Sequence, residues 1–154
     1  MAYWLMKSEP DVFSIDDLAN RPQKVEQWDG VRNYQARNFL RDQMKKGDSV
    51  LFYHSSCKTP AVVGIAEVIK EGYPDHTASN PESDYYDPKS TPDNPRWYMV
   101  DIRYVRHLEK PVTLSQMKAN QSLINNELPL IQKGSRLSVM PITKEQWQII
   151  LSLE

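Results

Sequence analysis

Cysteine is almost missing from this 154-residue chain: Cys57 stands alone, so no intramolecular disulfide can form, and a reducing compartment is expected, cytoplasmic or, in a eukaryote, nuclear. Histidine is nearly as scarce. His54, His76 and His107 are not spaced as metal ligands, and His54-x-x-Cys57 alone offers too few donors for zinc, so no metal and no cofactor is expected. The five glycines form no phosphate-cradling loop, and no serine sits in a nucleophile-elbow setting, so motifs name no catalytic residue. No apolar run approaches the roughly 20 residues of a bilayer-crossing helix. Met1 to Pro10 also lacks the basic start and apolar stretch of a leader, and a soluble, untargeted protein without a membrane partner is expected. Surplus positive charge is missing too: the net charge of −1 argues against a protein that coats a nucleic-acid backbone with Lys and Arg.

What is present belongs to an ordinary globular protein, 40% hydrophobic and 25% charged. At this length one domain over 1–154 is expected, burying about 68–70% of the unfolded chain's surface. The near-neutral average hides an asymmetry. Residues 71–95 carry −5, which leaves +4 for the rest and room for a local positive surface.

Tyr3, Leu5 and Lys7 alternate with Trp4, Met6 and Ser8, the period of a strand, and Pro10 ends it. Ser14 with Asp17 at N3 caps a short helix to about Ala19, and Val25 to Trp28 is extended. Val50 to Ser55 and Ala61 to Ile69 read as strands joined by the short loop 56–60, with Gly64 marking a bulge or a close backbone approach. Residues 72–95, with five prolines and little apolar periodicity, read as a long surface loop. Arg96 to Arg106 resumes strand alternation, and Arg136 to Met140 is a further strand before Pro141. Thr113-x-x-Gln116 and Thr143-x-x-Gln146 are capping boxes, the second opening a helix that carries Trp147, Ile150 and Leu151. The expected fold class is α+β and β-rich: a mixed barrel of five or six strands with short flanking helices at its ends.

Chemistry concentrates in Trp28-Asp29-Gly30-Val31-Arg32-Asn33-Tyr34-Gln35-Ala36-Arg37-Asn38. Asp29-Gly30 signals a turn. Ala36, Phe39, Leu40 and Met44 then give a helix its apolar stripe, with Gly47 as its C′ residue. Trp28 on one side of the turn, with Arg32 and Asn33 on the other, would suit a small planar polar ligand. The bland alternative makes Trp28 a core aromatic, Asn33 a helix cap, and Arg32 and Arg37 a solvated face.

Several pieces in order resemble the EVE-domain family of the PUA-like superfamily: Trp4, Lys7-Ser8-Glu9-Pro10, Trp28 to Asn38, Phe52-Tyr53-His54-Ser55, Asp93-Asn94-Pro95-x-Trp97 with Val100-Asp101, and Arg136-Leu137-Ser138-Val139 with Pro141. Each motif is weak alone; in this order, over nearly the whole chain, they are specific. The resemblance implies a PUA-like barrel and a pocket for a modified base in DNA or RNA, formed by Ser8, Trp28, Val31, Arg32, Asn33, Tyr53, His54, Ser55 and Trp97. Chemistry motivates the same group. An extruded base is held by stacking and by hydrogen bonds to its edge, while Lys7, Arg32 and Arg37 would hold flanking phosphates. Alternation puts Tyr53 and His54 on opposite sides of their strand, so one of them, His54 by preference, should face the pocket. The expected function is a non-enzymatic reader of a methylated or oxidised-methyl cytosine. The alternatives are a general PUA-type RNA-binding domain and a small hydrolase or nuclease using His54 with Lys7 or Asp29.

Overall fold

The computed structural model describes residues 1–154. Six strands form one mixed sheet: β1 (Tyr3–Ser8), β2 (Val25–Gln27), β3 (Ser49–His54), β4 (Ala61–Pro74), β5 (Tyr98–Thr113) and β6 (Val139–Ile142), in the order β2-β5-β4-β3-β1-β6. β1 and β3 run parallel, because the chain between them crosses over through two helices and β2; every other neighbouring pair is antiparallel. Five short helices complete the fold: α1 (Ile15–Asn20), α2 (Tyr34–Asn38), α3 (Leu114–Ala119), α4 (Gln121–Asn125) and α5 (Lys144–Ser152). None is long and apolar enough to cross a membrane.

The expected capping boxes are in place. Ser14 with Asp17, Thr113 with Gln116, and Thr143 with Gln146 each exchange side-chain and backbone hydrogen bonds at the starts of α1, α3 and α5. Strand alternation sorts the core onto the two faces of the sheet. Trp4, Met6, Val50 and Phe52 join Ile15 and Leu18 of α1 and Ala36 of α2 on one face. Leu5, Leu51 and Tyr53 join Met117, Leu123 and Ile150 of the later helices on the other.

The sheet does not close into the expected barrel. β2 and β6, three and four residues long, are its two unpaired edges, and each face has its own core, as in a layered open sheet. Pro141 lies inside β6 opposite Trp4 instead of following it, which an edge strand tolerates because the missing N–H can face outward. β4 and β5 run on to Pro74 and Thr113, well past the expected ends, through four register shifts that bend the ladder and disguise its period. One shift is at Gly64, where an added Cβ would lie 2.7 Å from Ile15 Cδ1.

The single helix expected up to Met44 is interrupted. α2 stops at Asn38, Phe39–Gln43 forms one wide π-type turn, and Met44 is already extended. Here β4 comes so close that a Cβ on Gly72 would sit 2.3 Å from the Leu40 carbonyl oxygen. Gly47 therefore caps no helix. With φ +94° it turns the chain into β3 and donates its N–H to Val68 O.

Candidate functional site

At the ends of β1 and β2 lies a cavity of about 460 Å³, within the roughly 300–1,000 Å³ range of small-ligand sites. Lys7 and Ser8 reach it from the end of β1, Phe13 from the approach to α1, residues 28–32 from the turn after β2, and Tyr85 from the long loop. Glu26 and Gln27 from the end of β2 and Trp28 just after it all line the cavity.

Trp28 is the rigid wall. It is only 7% exposed, stands edge-on to Phe52 at 5.5 Å and 90°, and meets Phe13 at 6.3 Å and 81°. The other two buried tryptophans donate their indole N–H groups to carboxylates, Trp4 to Asp48 at 2.9 Å and Trp97 to Asp87 at 2.7 Å. Trp28 has no such partner, and it lines the open space.

The turn beside Trp28 is fixed from across the chain. Gly30 has φ +80° and donates its N–H to Asp75 Oδ2 at 2.9 Å, and an added Cβ would lie 2.6 Å from the Tyr85 ring. Asp75, its side chain fully covered, also accepts from Arg32 at 3.0 Å and from the Thr77 N–H and hydroxyl at 2.9 and 2.6 Å. Burial pushes its carboxyl upward, but the hydrogen bonds from Thr77, Gly30 and Arg32 outweigh that and hold it below the usual carboxylate range. Arg32 is saturated: Nε donates to Tyr85 O, Nη1 to Val31 O and Asp75, and Nη2 to Thr77 Oγ1 and Tyr85 O. With all five N–H donors taken, Arg32 has none left for a phosphate; it positions the wall.

The structure brings Lys7, Ser8, Trp28, Val31 and Arg32 together at the cavity and leaves the other expected residues outside its lining. Asn33 caps α2, accepting the Ala36 N–H at 3.0 Å. Arg37 donates to Arg96 O at 2.7 Å and covers Tyr34, whose ring stacks on Trp97 at 4.7 Å. Trp97 in turn lies under the Arg32 guanidinium, which also faces Tyr85, so a column runs from Arg37 to the cavity wall. Tyr53 is buried on the far face of the sheet, where burial pushes its phenol up to about 12. His54 Nε2 accepts the Ile15 N–H at 3.1 Å at the start of α1, and burial lowers its pKa, so the neutral ring serves as a structural acceptor. Ser55 donates its backbone N–H to Ser8 O. The grouping of His54 with Lys7 or Asp29 that a hydrolase would use is therefore not assembled around this cavity. No cluster of three or more His, Cys, Asp or Glu side chains is arranged to hold a metal ion.

Sequence reasoning passed over Phe13, Arg21, Glu26, Tyr85 and the hidden support Asp75. Nearness to Trp28 was the available signal for Glu26; nothing local pointed to Asp75, which is 43 residues from Arg32. Lys7 and Asp29 share a signature of lost water. Burial lowers the Lys7 amine, and burial, then the charges of Asp75 and Glu26, raise the Asp29 carboxyl.

Known proteins share this architecture. The EVE domain matches residues 2–153. A crystal structure from Pseudomonas putida is 53% identical with a TM-score of 0.93, covering 99% of both chains. Human thymocyte nuclear protein 1 is 44% identical over 99% of this chain and 74% of its own length. The structure described as human THYN1 protein in complex with 5-methylcytosine containing DNA is 44% identical with a TM-score of 0.91, covering 99% of this chain and 97% of that one. An ASCH protein from Zymomonas mobilis, 12% identical with a TM-score of 0.53 over 99% of this chain and 96% of its own, shares the fold alone. With the family match running over residues 2–153 and the Pseudomonas putida structure superposing over 99% of the chain, this chain belongs to the EVE domain family.

Proposed function

We propose that this chain, acting as a single EVE domain, is a non-enzymatic nucleic-acid-binding module that receives a modified base, methylated or oxidised-methyl cytosine, in the Trp28 cavity. The observation that carries the reading is that cavity: about 460 Å³, walled by a rigid indole and edged with polar groups. An enzyme or reader that takes a base out of the stack holds it by aromatic or apolar contact and by hydrogen bonds to its edge. The complex of the human relative with 5-methylcytosine DNA supports the same ligand class. Lys7, Arg21 and Arg32 are balanced in the lining by Glu9, Glu26 and Asp29, so affinity here has to come from the base more than from many phosphates. The compartment expected from the lone cysteine, cytoplasmic or nuclear, belongs to this proposal.

Matched DNA duplexes with cytosine, 5-methylcytosine or an oxidised 5-methylcytosine at one position, titrated over a range of salt, test it. Trp28→Ala is a poor probe, because truncating a buried tryptophan costs roughly 3–5 kcal/mol. Val12→Trp is better: Val12 lines the cavity yet is 66% exposed, so an added ring obstructs the entrance without disturbing the core. The expected result is preference for a modified base with a shallow salt slope, lost in Val12→Trp while the melting temperature holds. A steep slope with no base preference, on DNA or RNA, would replace this reading with a general nucleic-acid-binding domain.

A further inference from the structure

Every donor of Arg32 is committed, so the phosphate beside a bound base needs another partner, and a second arginine stands at the same cavity in the opposite condition. Arg21 follows α1 and lines the cavity with half of its side chain exposed. Two contacts hold its guanidinium in place. Nε lies 2.9 Å from Glu26 Oε2, and the group sits over the Phe13 ring at 5.3 Å. Neither contact takes the two terminal NH2 groups, which make no hydrogen bond to the protein. Phe13 is in turn packed edge-on against Trp28. Arg21 is thus an oriented, half-exposed fork one ring away from the indole that would face the base, the arrangement suited to bidentate capture of a phosphate.

The backbone that presents it is unusual. After Pro22, Gln23 and Lys24 both take left-handed conformations, φ +57° and +60°, without glycine at either position. Two successive strained residues in a tight turn are kept only where the surroundings demand that path, and this path leads from Arg21 directly into β2 and Glu26. Glu26 has a second task, accepting the Gln27 N–H at 3.0 Å, which keeps its carboxylate at the Nε side of the fork.

We propose that Arg21 binds the DNA phosphate flanking the base held in the Trp28 cavity, with Glu26 and Phe13 orienting its guanidinium. The proposal rests on the base-reading function above, and phosphodiester chemistry distinguishes its test from the test of that function. The probe is a duplex bearing one 5-methylcytosine, prepared with native phosphates or with a neutral methylphosphonate at the phosphates on either side of it. Binding is measured from low to physiological salt with the wild-type chain, Arg21→Gln, Arg21→Lys and, as a control on the opposite face of the sheet, Lys118→Gln.

Arg21→Gln is expected to weaken binding about tenfold, as for loss of a charge-assisted hydrogen bond, and to reduce the salt slope by about one. Modified and unmodified duplexes should lose equally. The methylphosphonate should weaken the wild type and leave Arg21→Gln indifferent; Arg21→Lys should recover the slope but only part of the affinity, and Lys118→Gln should match the wild type. An unchanged slope in Arg21→Gln, or a methylphosphonate penalty equal in wild type and variant, overturns the assignment. If Arg21→Gln behaves as expected on DNA that shows no base preference, the phosphate contact stands and the base-reading function falls. Absence of DNA binding overturns both.

Discussion

Replacing Asp75 by Asn keeps the shape of the side chain and removes its charge. The wild-type carboxylate accepts four hydrogen bonds, from the Gly30 N–H, Arg32 Nη1, the Thr77 N–H and the Thr77 hydroxyl. An asparagine oriented with its oxygen toward Gly30 and Arg32 turns its NH2 group toward Thr77, whose hydroxyl can reverse to accept but whose N–H cannot. One donor is orphaned, and the Arg32 guanidinium, its side chain 22% exposed, loses its counter-ion. Breaking a buried pair costs about 3–5 kcal/mol. Partial exposure and the retained oxygen bring the expected loss to roughly 3 kcal/mol, or about 6–12 °C in melting temperature for a chain of this length. Urea and thermal unfolding followed by circular dichroism measure it. Against an Arg32→Met background the same substitution should cost at least about 1 kcal/mol less, because the two residues share one network. The pH dependence has a definite sign. Folding holds the carboxyl below the unfolded value of about 3.9, so its stabilisation is complete above about pH 4 and is lost as the pH falls through the folded value. The gap between wild type and Asp75→Asn should therefore narrow in acid. A cost below about 0.5 kcal/mol, or full additivity with Arg32→Met, would refute the view that this carboxylate ties the long loop to the Trp28 turn.

Two other positions give separate tests. Gly30→Ala forces a left-handed alanine, at about 1–2 kcal/mol, and drives its Cβ into the Tyr85 ring; in a Tyr85→Ala background only the backbone cost should remain, and an equal cost in both backgrounds would exclude the clash. His54→Ala should lose about 0.5–2 kcal/mol as the Ile15 N–H at the start of α1 loses its acceptor. Because burial lowers the folded His54 pKa, the unfolded chain takes up the proton first below about pH 6.5, and stability falls with it. His54→Gln should flatten that slope, which unfolding at several pH values would show.

How legible each feature was depends on how far apart in the chain its causes lie. The capping boxes at Ser14, Thr113 and Thr143 were readable because each is complete within four residues, and Asp29-Gly30 was readable as a turn for the same reason. The interruption of the helix after Asn38 was not, since the strand that crowds Leu40 belongs to Gly72. Barrel closure rests on the number of strands, and although the pieces that become β2 and β6 are visible as extended segments, nothing local to them says that they stay apart as the sheet's two edges. At the cavity, residue type was a good guide to Trp28 and a poor one to the arginines. What sets Arg32 apart from Arg21 is the set of acceptors that fills its donors, and apart from Val31 O these come from Asp75, Thr77 and Tyr85, 43, 45 and 53 positions away.

That separation also divides the molecule into two parts of different support. Neither core cluster draws on residues 75–97, whereas the cavity wall depends on them through Asp75 and Tyr85, which reach Gly30 and Arg32. Closed by side-chain contacts from a long loop and not by a strand ladder, the pocket is expected to open more readily than the sheet, and its amides at Gly30 and Thr77 should exchange with solvent deuterium ahead of those in β1 and β3.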